Sequence, residues 1–329
     1  MARPNVLVTR RIHPDALHML QSVAEVDLWT EDRPIPRDEL LRRVARADGL
    51  YTMLTDRVDE ELLEQAPRLR VVSNMAVGYD NIDVAACTRR GIPVGHTPGV
   101  LTDTTADLAF ALILAAARRL VEAVDYVRAG KWTTWSPDLF LGYDVYGSTL
   151  GILGLGRIGT AVARRATGFG MRVLYHSRTR HEEVEAALGI TYVDFDTLLG
   201  ESDILSIHTP LTEETYHLIG AAELSRMKST AILVNTARGG VVDPMALYQA
   251  LKNGTIAYAA LDVTEPEPIP ADHPLLSLPN CIVVPHIGSA SHATRRRMAI
   301  MAAENLLAGL EGRQLPYCVN PEVYTHPSH

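Results

Sequence analysis

Along the first hundred residues, short apolar runs alternate with segments whose apolar positions recur at helical spacing. NVLVTR (residues 5–10), VDLWT, GLYTM, VVSNMA and PVGHT read as strands, since short, largely apolar runs suit a sheet covered on both faces. HPDALHMLQSV, PRDELLRRVA, EELLEQA and residues 82–91 read as the helices between them, the first with Pro14 near its start. Strands alternating with helices predict a parallel, doubly wound α/β sheet. This unit ends near Pro98 and Gly99. One long helix rich in Ala and Leu is expected over residues 105–130, followed by an aromatic loop, KWTTWSPDLFLGYDVYGS, that has no clear period. Alternation resumes at Thr149, with further strands expected at 172–176, 204–208, 231–235, 257–262 and 281–285. A helix over 244–253 ends at Gly254, and a long last helix, SHATRRRMAIMAAENLLAGLEG, folds back on the first unit. The expected organisation is therefore residues 1–99, 100–291 and a returning 292–329.

The stretch TLGILGLGRIG places Gly154-Leu155-Gly156-Arg157-Ile158-Gly159, a G-x-G-x-x-G, between an apolar strand and a helix. Gly154 lets the chain turn, Gly156 lets backbone approach a pyrophosphate, and Gly159 lets the helix pack on the strand. The helix amides, with the dipole behind them, then face the phosphates. A second strand, MRVLYHS, follows. Where an NAD-preferring site places Asp or Glu after that strand, this chain has Ser177, Arg178, Thr179 and Arg180. A carboxylate would repel a ribose phosphate, whereas serine and guanidinium accept one. NADP(H) is the preferred cofactor on this reading, with NAD(H) possible.

Charge and cysteine content narrow the partners. A formal charge of −8 gives no nucleic-acid footprint and disfavours an acidic membrane surface. The most apolar run, LAFALILAAA, is too short to span a bilayer, and the N-terminus lacks a signal-peptide core. Cys87, Cys281 and Cys318 form no zinc or disulfide spacing, so no metal is expected, and a reducing, cytoplasmic setting fits.

Three polar residues fall just past the carboxyl ends of expected strands, where open α/β sheets carry their chemistry. Arg238 follows AILVNTA, Glu267 follows ALDVTEP, and His286 follows CIVVP. An arginine binds a carboxylate through two parallel bonds. A histidine gives a proton to a carbonyl oxygen as hydride reaches its carbon. A nearby glutamate holds the imidazole in one orientation and favours its protonated form.

AVGYDNID, GILGLGRIG, VNTARGGVVD, LDVTEPEP and PHIGSA occur in this order, and together they resemble the D-isomer-specific 2-hydroxyacid dehydrogenases over essentially the whole chain. Within that family TPGVLTDTTADLA, KWTTWSP, HSRTR and HPLLSLPNCIVVPHIGSASH are most similar to glyoxylate/hydroxypyruvate reductases. The resemblance implies a Rossmann-type dinucleotide-binding domain and a smaller flavodoxin-like substrate domain that uses both chain ends. It assigns Arg238 to substrate binding, Glu267 to tuning the histidine and His286 to proton donation. It places the substrate carboxylate on the backbone of Ala76, Val77 and Gly78, with Ser289 also on the substrate side. Thr105, Arg157, Ile158, Thr236, Asp262 and Gly288 fall to the cofactor, and Trp135 to a neighbouring subunit's active site in a homodimer. The implied activity is reduction of small 2-oxo acids, glyoxylate to glycolate and hydroxypyruvate to D-glycerate. Phosphite dehydrogenase shares the Arg-Glu-His arrangement and stands as the near alternative, and an NAD(H)-sensing corepressor as the distant one.

Overall fold

A computed structural model describes residues 3–325; residues 1, 2 and 326–329, at the outer ends of the expected first and last segments, lie outside it. The chain forms two compact units, Met1–Leu101 with Ala290–His329, and Thr102–Ser289. Each is built on its own fully parallel sheet.

The first sheet holds β1 (Asn5–Val8), β2 (Glu25–Leu28), β3 (Gly49–Thr52), β4 (Val71–Asn74) and β5 (Val94–Gly95). Its order, β2-β1-β3-β4-β5, is the flavodoxin-like doubly wound arrangement. The helix His292–Leu310 packs on this sheet. Tyr51 donates its hydroxyl to the Ala299 carbonyl, and Ser73 donates to that of Ala302 at 2.7 Å. The chain's last helix thus belongs to the unit that its first strands begin.

The second sheet holds β6 (Thr149–Leu153), β7 (Arg172–His176), β8 (Thr191–Tyr192), β9 (Ile204–Ile207), β10 (Ile232–Asn235), β11 (Tyr258–Leu261) and β12 (Cys281–Val283). The order β12-β11-β10-β9-β6-β7-β8 reverses direction between β6 and β9, so the crevice of a Rossmann sheet opens beyond their carboxyl ends. β9, β10 and β11 are buried along their whole length, as their largely apolar character requires. β8 is only two residues long and half exposed, which explains why hydropathy does not reveal it.

The expected single helix over 105–130 is instead two, Thr102–Ala117 and Leu120–Arg128. The Tyr143 amide donates to the Ala117 carbonyl at 2.9 Å, taking the acceptor that a continuing helix would offer residue 121. Arg119 turns to φ +52, and its guanidinium then bonds Glu122 and covers the Phe140 ring. The first of the two helices is apolar nearly all round. Ala106, Ala109, Phe110, Ile113 and Ala116 sit in one core with β6 and β10 residues. No helix is long and apolar enough to cross a membrane among the described residues.

Candidate functional site

The turn after β6 is set by three glycines with three different duties. Gly154 has φ +94 and donates its amide to the His176 carbonyl. A Cβ there would lie 2.8 Å from the Thr209 nitrogen, so β6 and the chain after β9 close on it. A Cβ at Gly159 would lie 2.2 Å from the Gly154 carbonyl oxygen, which lets the helix Arg157–Thr167 press onto the turn. Gly156, the N-cap of that helix, has nothing within 4 Å of its missing Cβ and no side-chain cap. Open space before an uncapped helix N-terminus is what a pyrophosphate needs. Arg157 and Ile158 form the first turn of that helix. The turn fits a dinucleotide.

Beyond β7 the polar residues are not equivalent. Ser177 donates its hydroxyl to the Thr179 carbonyl at 2.7 Å. Arg180 binds Glu185 through two bonds of 2.9 Å and lies over the Tyr192 ring. Glu185 also accepts the Tyr175 hydroxyl, and Arg180 and Tyr175 together hold its carboxyl down at about 2. Arg180 is thereby committed within the protein. Arg178 is exposed on the same loop, and its charge reaches as far as Glu214.

The loops after β10, β11 and β12 converge. At the end of β10, the buried Asn235 accepts the Ala237 amide and donates to the Arg238 carbonyl at 2.8 Å, a side-chain-closed turn that aims Arg238. The guanidinium of Arg238 donates to the Ala237 carbonyl. After β11, Glu267 accepts from the Thr264 amide and lies 2.5 Å from His286 Nδ1. Burial pushes the Glu267 carboxyl up, but the bond to His286 and its charge, then the Thr264 amide and the more distant Arg238 charge, outweigh it and hold it below the ordinary value. With Nδ1 on Glu267, Nε2 is the ring nitrogen left to meet a substrate.

His286 itself has φ +52, and its amide donates to the carbonyls of Asp262 and Val284. The Asp262 carboxylate accepts the Ile287 amide at 2.6 Å and the Gly288 amide at 2.8 Å. Burial pushes the Asp262 carboxyl up against those two bonds. Thr105 donates its hydroxyl to the Gly288 carbonyl, and a Cβ at Gly288 would press on Asp262 and Thr105. Thr236, 8% exposed, keeps a buried hydroxyl with no partner in the protein. An unpaired buried hydroxyl beside this loop cluster suits a polar ligand group such as a carboxamide. Ser289 is buried directly after the same loop.

In the first unit, the loop after β4 carries Ala76, Val77 and Gly78. The Thr97 amide bonds the Ala76 carbonyl, the His96 ring bonds that of Val77 at 3.0 Å, and Asn74 donates to that of Gly78. Among the described residues, the protein's bonds to this loop run to its carbonyls and not to its amides. Trp135 is 78% exposed on the chain that returns after the second of the two helices.

Asn235, Asn74 and His96 were not singled out from sequence. The asparagines each end a strand, and a strand-terminal Asn before a turn is the signal that could have found them. His96 carries no such signal.

Comparison with known proteins bears on the whole of this arrangement. Residues 110–288 match the model of the D-isomer specific 2-hydroxyacid dehydrogenase, NAD binding domain. A glyoxylate reductase of Korarchaeum cryptofilum is 58% identical over 322 residues, covering 98% of this chain and 97% of that protein. A glyoxylate reductase of Aeropyrum pernix is 55% identical, with 98% of each chain covered. Among solved structures, a protein from Thermus thermophilus superposes with a TM-score of 0.91 at 50% identity, covering 96% of this chain and 99% of that one. An NADPH-dependent glyoxylate/hydroxypyruvate reductase from Sinorhizobium meliloti, in complex with NADP and malonate, does so at 0.85 and 35% identity, covering 97% and 98%.

Proposed function

This chain belongs to the D-isomer specific 2-hydroxyacid dehydrogenases and is an enzyme of that family, and from that premise we propose that it reduces small 2-oxo acids, glyoxylate to glycolate and hydroxypyruvate to D-glycerate, with NADPH preferred. The observation that carries the reading is the 2.5 Å bond between His286 and Glu267, with the Arg238 charge acting on the same carboxylate. A bound nicotinamide supplies the hydride. Arg238 binds the substrate carboxylate and polarises the carbonyl. His286 gives the proton from Nε2 to the carbonyl oxygen, while Glu267 keeps the ring turned to that task. Ala76, Val77 and Gly78 add backbone amides for the carboxylate, and Ser289 a hydroxyl. Gly154, Gly156, Arg157, Ile158 and Gly159 would hold the pyrophosphate, and Thr105, Thr236, Asp262 and Gly288 the nicotinamide side. Ser177, Arg178 and Thr179 would face the ribose phosphate, and Arg178 supplies the cation because Arg180 is bound to Glu185.

The reading includes a homodimer. Leu120, Val121, Val124 and Val127 of one helix are exposed together with Trp132 and Trp135 beyond it, an apolar area of the kind a second copy covers. Trp135 would reach the partner's substrate site.

Initial rates with glyoxylate, hydroxypyruvate, pyruvate and phosphite, each with NADPH and NADH, test the proposal. Glyoxylate and hydroxypyruvate with NADPH should give the highest kcat/KM. Turnover of phosphite alone, or of no compound in the set, overturns it. Light scattering at micromolar concentration should give twice the chain mass.

A further inference from the structure

A second His–Glu pair lies beside the first and takes no part in the chemistry just described. His217 Nε2 is 2.5 Å from Glu265 Oε2, and Glu265 stands two residues before Glu267 on the same short loop. The backbone of His217 is tied elsewhere. Its amide donates to the Gly240 carbonyl at 2.7 Å, the Ile219 amide donates to Val241, and the Asp243 amide donates to Ile219. Ile219 and Val242 form an isolated parallel bridge. Residues 217–219 are therefore bonded along the chain that leaves Arg238.

We propose that His217 is a positioning residue, a latch whose main chain holds the Arg238 loop and whose imidazole holds the Glu267 loop, so that the two keep one spacing. The inference rests on the oxo-acid reductase reading for what the spacing serves. Three features converge on it. First, the loops touch where no side chain intervenes, since a Cβ at Gly239 would lie 2.0 Å from the Thr264 oxygen and 2.7 Å from the Glu265 nitrogen. Second, His217 adopts φ +50, a left-handed conformation that a non-glycine residue holds only when its surroundings impose it. Third, the Tyr216 ring stacks on the imidazole, with centroids 4.0 Å apart and planes within 16°, which fixes the direction of Nε2. Without the imidazole the Glu267 loop keeps its contact at Gly239 but loses the His217–Glu265 bond that helps set how far it stands from Arg238. Small misplacements of catalytic groups are costly because the reacting atoms must meet within a narrow range of distance and angle.

The test uses His217→Ala, His217→Gln, Glu265→Ala and the His217→Ala/Glu265→Ala double variant in the full chain. With glyoxylate and NADPH, His217→Ala should lower kcat by about tenfold and raise the KM for the oxo acid, while the NADPH Kd stays within about twofold. His217→Gln, which keeps a donor for Glu265, should recover most of the loss. Glu265→Ala should match His217→Ala, and the double variant should be no worse than either single one. Wild-type kcat and KM in His217→Ala, no recovery with Gln, or losses that simply add would each overturn the latch. Amide exchange in the same variants gives an answer independent of turnover. His217→Ala should speed exchange at Thr264, Glu265 and Glu267, and unchanged exchange there defeats the inference. A wild-type chain that turns over no oxo acid, yet shows the exchange effect, would instead sink the reductase reading and leave the latch standing.

Discussion

The glycine turn after β6 and the loops after β10, β11 and β12 lie at the carboxyl ends of strands in one sheet, yet they are held by opposite means. The turn is shaped by what is missing. Side chains at Gly154 and Gly159 would strike backbone within 3 Å. The loops, apart from the close approaches at Gly239 and Gly288, are shaped by what is present, namely Asn235 on the Arg238 carbonyl, Asp262 on two amides and Glu267 on the imidazole. Addition should break the first region and deletion the second. The difference teaches that the geometry of the turn is set by close backbone approach, whereas that of the loops rests largely on polar bonds between segments distant in sequence.

The sharpest way to press this contrast is deletion at the imidazole. His286→Ala should lower kcat by about 10²–10⁴-fold with the NADPH Kd nearly unchanged, since general acid catalysis contributes on that scale. Stopped-flow single-turnover rates and fluorescence titration measure the two halves, and a variant with normal turnover rejects the proton-donor role. Addition at the turn comes next. Gly159→Val should cost about 3 kcal/mol of stability and abolish NADPH binding, because the new side chain meets a backbone oxygen that cannot yield. Gly156→Ala sharpens the comparison. It enters open space, so its thermal midpoint should stay that of the wild type while NADPH binding weakens, and a large fall in that midpoint would contradict the assignment of that space to ligand.

Glu267→Gln should have a smaller effect, lowering kcat about tenfold. Its pH signature has a definite sign. The Glu267 carboxyl is held below its ordinary value in the folded chain, so its contribution to stability is complete above the unfolded value and is lost as pH falls through the folded one. Urea unfolding should therefore show a gap between wild type and Glu267→Gln that is complete above the ordinary carboxylate range and narrows as the pH falls below it. A gap that widens on acidification contradicts the direction. The smallest expected effect separates two arginines. Arg178→Ala should raise the KM for NADPH about tenfold, and Arg180→Ala less than about threefold, because Arg180 is occupied by Glu185 and Arg178 is not held by that pair. The reverse ranking would move the phosphate site to Arg180.

What could be read from sequence follows the same division. The strands of both sheets, apart from the two-residue β8, follow from apolar alternation, and the glycine turn follows from spacing because its strand and three glycines lie within eleven residues, although the chain at Thr209 that closes on Gly154 does not. Arg238, Glu267 and His286 were legible as residues at strand ends, but their meeting was legible only through the family resemblance, because the bonds joining Glu267 to His286 and Asp262 to residues 287 and 288 span 19 to 26 residues. The helix over 105–130 was misread for the same reason. The amide that ends it belongs to Tyr143, and no local pattern in Ala117-Arg118-Arg119 announces it. The commitment of Arg180 to Glu185 was equally invisible, although only five residues separate them, because charge spacing does not reveal which partner a guanidinium will take.

The carboxylate of Asp262 has one more implication. It ties the two residues after His286 to the end of the neighbouring strand, while Glu267, early on the peptide that links the two strands, holds the imidazole itself. The stretch from Pro270 to Asn280 therefore does not govern where the imidazole stands, and lengthening or trimming it between relatives would leave the donor in place so long as β11 and β12 keep their register.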